Sequence, residues 1–307
     1  MKISIITICY QPGLVILSAI ESVLGQSYDD VEYIIVDGGS KDGSVECIIR
    51  RLASSESGEA VLPNIEALSL NLDVGGKTIR LVSEKDNGLY DALNKGILLA
   101  TGDVIGFVHA DDFLAHENVL KNVAECFFKN DTEGVYGDLQ YVRDCGLPTK
   151  DTEPHKEEQS GDRQSIEDDG QPTFEKSNFS VVRHWESGSY RREKLKWGWM
   201  PPHPSLYLKR EVYERAELEN GEFFDTSFTC AADYDFMMRI LSQLDVIPEY
   251  VPEVLIKMRV GGVSNRSVKH MLRKSAEDWR AIRRNRIGHI HTLAWKNLQK
   301  IGQFFRH

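Results

Sequence analysis

Cysteine is scarce in this 307-residue chain: five in all, Cys9, Cys47, Cys126, Cys145 and Cys230, widely scattered and with no Cys-x-x-Cys pair. That spacing excludes a disulfide framework and a cysteine zinc site, and it points to a reducing cytosol. Long apolar runs are also missing. No stretch reaches the ~18 apolar residues that a membrane helix needs, and the run in MKISIITICY is too short for a signal peptide. No internal repeat is visible. Basic residues are in the minority, 37 Lys/Arg against 47 Asp/Glu, for a net charge of -10. An acidic body of this kind argues against nucleic acid as the main partner. What remains is ordinary for a globular enzyme, with 41% hydrophobic and 27% charged residues.

The charge is unevenly spread. Residues 266–307 hold eleven Lys/Arg and two acids, so this tail carries about +9 and the rest about -19. The tail also contains Trp279, Trp295, Phe304 and Phe305. Basic residues with aromatics suit an anionic membrane surface, and they equally suit a helix packed on the acidic body.

Along the chain, apolar β-branched runs alternate with helical patterns. Strands are expected at 3–10, 31–37, 79–83 and 104–109, and helices at 14–24, 44–53, 89–100 and 117–129. Two stretches break the rhythm. Residues 54–77 are rich in Ser, Glu, Asn and Gly, and residues 150–171 hold eight acids and three bases without apolar periodicity. Both read as insertions, the second within a wider gap at 145–178. Further elements are expected at 179–185, 204–208, 210–216 and 231–244, with one or two basic helices in the last forty residues. Strand-turn-helix units at this spacing predict an α/β fold with a mostly parallel sheet and helices on both faces. Ligands bind such sheets beyond the carboxyl ends of the strands, where Gln11, Asp37, Asp86, Asp111 and Asp112 should converge.

Several constellations there carry chemistry. His109-Ala110-Asp111-Asp112 follows an apolar strand, and its carboxylates are hard oxygen ligands suited to Mg²⁺ or Mn²⁺. An ordinary turn would also favour Asp. Asp37-Gly38-Gly39 ends a strand with glycines that allow close backbone approach, and Asp37 can accept from a ribose or a base; a plain turn is the alternative. In Glu84-Lys85-Asp86-Asn87-Gly88 and the helix after it, two readings stand: Asp86 hydrogen-bonds a pyrimidine while Lys95 approaches a phosphate, or Lys95 simply pairs with Asp91 one helical turn away.

The segments SIITICY, VDGGSKDGS, SEKDNGLYDALNKG and TGDVIGFVHADD, in this order and spacing, make the chain resemble a family 2 glycosyltransferase of the GT-A fold. VVRHWESGSY, GWMPPHPSLYLKREVYE, AADYDFMMR and GGVS resemble the branch that builds bacterial capsule, exopolysaccharide and O-antigen units. The resemblance implies one Rossmann-like GT-A domain over 1–265 and a helical extension over 266–307. It implies an inverting, metal-dependent transfer (Mn²⁺ or Mg²⁺) from a UDP-linked nucleotide sugar to a saccharide or lipid-linked acceptor. By that resemblance Thr7 and Tyr10 line the base together with Asp37 and Asp86. Asp111 becomes the metal ligand, because His109 stands where the family's first acid would be; Asp112 supports the metal or the ribose. Asp233 is the base that takes the acceptor's proton, and His203 approaches the phosphate or the acceptor. GGVS would close over the diphosphate. Two rival readings stay open: a nucleotidyltransferase, against which stands the lack of Lys or Arg in residues 7–14, and a non-catalytic scaffold. Cytoplasmic placement, peripheral at the plasma membrane, completes the expectation.

Overall fold

The computed structural model describes residues 1–53, 68–144, 179–260 and 268–302. In chain order the elements are β1 (Ile3–Cys9), α1 (Ile16–Leu24), β2 (Val31–Asp37), α2 (Ser44–Ala53), β3 (Leu68–Val74) and β4 (Lys77–Ser83). Then come α3 (Leu89–Leu99), β5 (Val104–Phe107), β6 (Asp112–Leu114), α4 (Val119–Asn130), β7 (Gly134–Asp144) and β8 (Phe179–Trp185). The chain continues through β9 (Leu206–Lys209), α5 (Arg210–Ala216), α6 (Ala232–Ser242), β10 (Glu249–Arg259), α7 (Val268–Arg284) and α8 (Ile290–Gly302).

The ten strands form one sheet in the order β3-β4-β2-β1-β5-β9-β7-β10-β6, with β8 added against β7. Strands β4, β2, β1 and β5 run parallel; β2, β1 and β5 are apolar runs buried along their whole length, as strands covered on both faces require, whereas β4 alternates. Beyond β5 the sheet is mixed: β9 is antiparallel to both β5 and β7, and β10 is parallel to β7. Alternate residues of β1 feed two separate cores. Ile6 and Ile8 pack with α3, α5, α6 and α7, whereas Ile3 and Ile5 pack with α1, α2 and α4. Helix α3 lies so close to β1 that a Cβ on Gly96 would come 2.5 Å from the Ile6 side chain.

The structure adds two points about organisation. The supposed insertion at 54–77 is in its second half a strand, β3, which pairs antiparallel with β4 and extends the sheet edge. Its polar look (LSLNLDV) follows from its edge position, with Ser69 exposed and Leu68 and Val74 buried. The rest of that stretch, the whole of 145–178, the GGVS segment and Phe304 and Phe305 lie outside the described residues. Second, the extension expected over 266–307 packs on the sheet domain through α7, as one of the two readings of the tail had it. Ala281, Ile282 and Ile287 belong to the same core as β1, α3 and α6.

Candidate active site

Register brings the strand ends together. Cys9 pairs with Asp37, and Asp37 with Ser83, so residues 10, 38 and 84 leave the sheet side by side. Tyr10 stands 64% exposed at this edge. The next residue, Gln11, has φ +48 and donates its amide to Ser40 Oγ at 2.7 Å, binding the first loop to the second. Asp86 reaches back over Gly38. A Cβ at position 38 would lie 2.5 Å from Asp86 Oδ2, so the absence of a side chain there is what admits the carboxylate. Asp86 Oδ1 accepts from the Gly88 amide at 2.9 Å, which fixes its direction.

One strand over, His109 leaves β5, and its ring lies 6.2 Å from that of His203. His203 is 8% exposed, stacked at 5.2 Å on Phe107 and meeting Phe224 edge-on at 5.6 Å. Burial lowers its pKa to about 4, against the opposing pull of Asp233 and with help from His109, so the imidazole is neutral at neutral pH. His109 is shifted the same way, its desolvation outweighing the attraction of Asp111 and Asp233. Both carboxylates therefore act on one imidazole: Asp111, from the loop after β5, and Asp233, from the first turn of α6 more than a hundred residues downstream. Asp233 Oδ1 accepts from the Tyr90 hydroxyl of α3 at 3.1 Å. Burial, reinforced by Asp233, raises the pKa of that phenol, so it stays a donor.

Asp235, two positions on, turns inward as its place on the helix demands. It is fully buried, accepts from Asn285 Nδ2 at 2.9 Å and lies 3.7 Å from Arg284.

Four of the expected site residues are employed otherwise. Thr7 faces the α1/α2 core, fully buried, and donates to the Val108 carbonyl at 2.6 Å; it sits mid-strand and does not reach the edge. Asp37 is also fully buried. Its carboxylate accepts from the Gly39 and Ser40 amides, from Ser40 Oγ and from Ser83 Oγ at 2.5–3.0 Å, so it shapes the loop instead of facing a ligand. Asp112 lies inside β6, where strand pairing with Met258 buries it and leaves both carboxyl oxygens without a hydrogen bond among the described residues. Burial and neighbouring Asp111 push its pKa well up, against the opposing pull of Arg259. Lys95 is held by Glu84 at 2.9 Å and Asp91 at 3.6 Å, and donates to the Lys85 carbonyl at 3.2 Å. Burial opposes its charge, but the Glu84 hydrogen bond and the nearby acids outweigh that and raise its pKa.

Three contributors escaped the sequence reading. Tyr90 and Asn94 were in view inside GLYDALNKG, on the buried face of α3. Asn94 accepts from the Phe223 and Phe224 amides and donates to the Phe224 carbonyl, anchoring the chain that leads into α6. Arg259, at the end of β10, left no signal beyond its charge. Its guanidinium donates to the Asp111 carbonyl at 3.2 Å, to Asp144 at 3.2 Å and to Ser18 at 2.8 Å, with the rings of Phe113 and Phe179 each 5.2 Å away.

Among the described residues no three His, Cys, Asp or Glu side chains are grouped to hold a metal ion. Asp111 beside a neutral His109 still suits Mn²⁺ or Mg²⁺, which proteins commonly hold by one or two groups, substrate phosphates completing the shell. The donor chemistry fits a cation shared with a diphosphate.

An α/β sheet with acids gathered at its carboxyl edge is the GT-A architecture, and solved structures of that kind superpose on it. TarS of S. aureus (residues 1–349, in complex with UDP-GlcNAc) matches with a TM-score of 0.54 at 14% identity, over 93% of this chain and 65% of TarS. The mannosyltransferase PcManGT of Pyrobaculum calidifontis, in complex with GDP-Man and Mn²⁺, matches with a TM-score of 0.52 at 16% identity, over 92% and 63%. At such identities the likeness establishes the fold. The chain belongs to glycosyl transferase family 2, whose pattern matches residues 4–196, more than half its length. An uncharacterised glycosyltransferase of Nostoc sp. is 32% identical over 142 residues, covering 46% of this chain and 38% of that protein. A PGL/p-HBAD biosynthesis glycosyltransferase of Mycobacterium bovis is 31% identical over 137 residues, covering 44% and 46%. The matched part spans less than half the length of these relatives.

Proposed function

We propose that the chain is an inverting glycosyltransferase that moves a sugar from a nucleotide donor, UDP-linked, to a saccharide or lipid-linked acceptor of the cell surface. What supports this reading is that Asp111 and Asp233 both act on the one His109 imidazole, whose ring lies 6.2 Å from that of His203, and that Asp233 is held by Tyr90. In the proposed step Asp233 takes the proton of the acceptor hydroxyl. The hydroxyl oxygen bonds to the anomeric carbon on the face opposite the nucleotide, and the bond from that carbon to the diphosphate oxygen breaks. Tyr90 occupies Oδ1 of Asp233, which leaves Oδ2 to face the hydroxyl. Neutral His203 and His109 each offer an N–H to diphosphate oxygens without adding charge. Asp111, with His109, would hold Mn²⁺ or Mg²⁺, which when bound neutralises charge developing on the leaving diphosphate. Tyr10 and Asp86 would frame the base, and Lys95, once released from Glu84, the phosphates.

The acceptor class draws support from the mycobacterial relative named for PGL/p-HBAD biosynthesis. Among the described residues no helix is long and apolar enough to cross a membrane, which is compatible with cytoplasmic, peripheral placement.

A panel of nucleotide sugars, with and without Mn²⁺, tests the reading by the product released. UDP is expected, in a Mn²⁺-dependent manner; pyrophosphate would mark a nucleotidyltransferase, and no product a scaffold. Asp233→Asn should lower turnover by about a thousandfold or more while UDP still binds.

A further inference from the structure

The basic tail divides into two parts with different surroundings. In α7 the charge is absorbed by the acidic body: Arg284 lies 2.5 Å from Asp225 and 3.7 Å from Asp235, and Arg280 sits over the Phe228 ring at 4.3 Å. Trp279 packs against the core shared with α6, with Arg283 beside its ring at 5.8 Å. The chain then turns at Arg286 (φ +54), and α8 begins differently.

Ile290 is 63% exposed and Trp295 46%, and both point away from the core. Trp197, 55% exposed, comes from the short 3-10 turn Arg192–Trp197 and meets Trp295 edge-on at 6.1 Å, with His291 at 5.7 Å. The two pieces are locked together. Thr292 Oγ1 donates to the Lys196 carbonyl at 2.7 Å, and a Cβ on Gly198 would come 2.7 Å from the Thr292 carbonyl. Exposed Lys196 adjoins Trp197 in the chain, and Arg286, also exposed, lies on the turn that leads into α8; Glu193 is the acid on the 3-10 turn. Tryptophan rings with an indole N–H favour the boundary between lipid headgroups and acyl chains, and a cationic rim is attracted to anionic headgroups. A second copy is a poorer occupant, because a two-fold contact would set the same cations against one another.

We propose that Trp197, Ile290 and Trp295, within this cationic rim, seat the protein on an anionic phospholipid surface. Five residues, Pro201 and Pro202 among them, separate Trp197 from His203, so the two lie within about 22 Å. Seated this way, the cleft stands next to the headgroups; resting on the sugar-transfer reading, the acceptor is then a lipid-anchored saccharide and not a free one.

Flotation with vesicles of phosphatidylcholine, alone or with about one third phosphatidylglycerol, tests the seat. The full chain is expected to float with the mixed vesicles, to stay behind with phosphatidylcholine alone, and to be released by salt. The pair Trp197→Ala and Trp295→Ala should lower partitioning about tenfold or more while leaving the thermal shift produced by UDP unchanged. Lys196→Glu with Arg286→Glu, surface changes that remove no buried group, should do the same. Failure of the full chain to float with mixed vesicles, or unaltered flotation of both double variants, overturns the proposal. So does a concentration-dependent dimer that the tryptophan changes abolish, since it would give the patch to a second copy. Vesicle binding without any nucleotide-sugar turnover would keep the seat and remove the transfer reading.

Discussion

The side chains at the cleft are tuned by what surrounds them more than by their own chemistry. Tyr90 bonds one oxygen of Asp233 and, on the proposed reading, leaves the other to meet an acceptor. Tyr90→Phe should cut turnover about tenfold, the value of a hydrogen bond to a charged group, with the nucleotide Michaelis constant unchanged; an equal loss in nucleotide affinity would place Tyr90 in binding instead. His203 makes a second prediction. Its pKa is about 4 in the fold and about 6.5 in the open chain, so the unfolded state takes up the proton first as pH falls. Stability from this residue is complete above pH 6.5 and declines between pH 6.5 and 4, by up to about 3 kcal/mol. Melting temperatures of wild type and His203→Gln across that window should show a shallower slope for the variant. Carboxylates with lowered pKa, such as Asp225, lose their contribution only below the ordinary carboxylate range, so the two windows separate. Identical slopes would show that His203 does not titrate as buried.

At the scale of elements, the site depends on strand ends that meet because of register. Gly38 at the end of β2 yields its side-chain space to Asp86 from the loop after β4. Gly38→Ala should push Asp86 aside and raise the nucleotide dissociation constant about tenfold. The melting temperature should fall by about 2 °C or less, because the displaced atoms are the tip of a side chain. Calorimetric titration with UDP, beside a melting curve, decides this; unchanged affinity would mean that Asp86 does not touch the base. Much of the neighbourhood was legible beforehand. Of the parallel strands, β1, β2 and β5 are continuous apolar runs, and the loops after them carry Gly and Asp, so edge and polarity were both readable. Thr7, Asp37 and Asp112 are buried where they were expected beside a ligand, because neither a motif nor a polar residue in or next to a strand tells whether its side chain points out of the sheet or into it. The difference is one step of β alternation for Thr7, and one added strand, β6, for Asp112.

At the scale of the whole molecule, the tail closes the catalytic half of the fold. Asn285 bonds buried Asp235 on the helix that carries Asp233, and Ala281 and Ile282 fill the core beneath it. A chain ending at residue 265 should therefore be insoluble or melt at least about 10 °C lower, since it exposes that apolar surface and strands a buried acid. A truncated protein with an unaltered melting curve and intact UDP binding would show that the extension is separable. Strand-helix rhythm was enough to determine the fold class, because it depends on local periodicity, and the family was legible as a resemblance carried by four ordered motifs. The approach of Asp111 and Asp233 to one imidazole, the hydrogen bond from Tyr90 to Asp233, the anchoring of the Asp111 carbonyl by Arg259, and the inward turn of α7 with the outward face of α8 were decided only in three dimensions. Each brings together residues far apart in the chain, and a helix alone does not show which of its faces will find a partner.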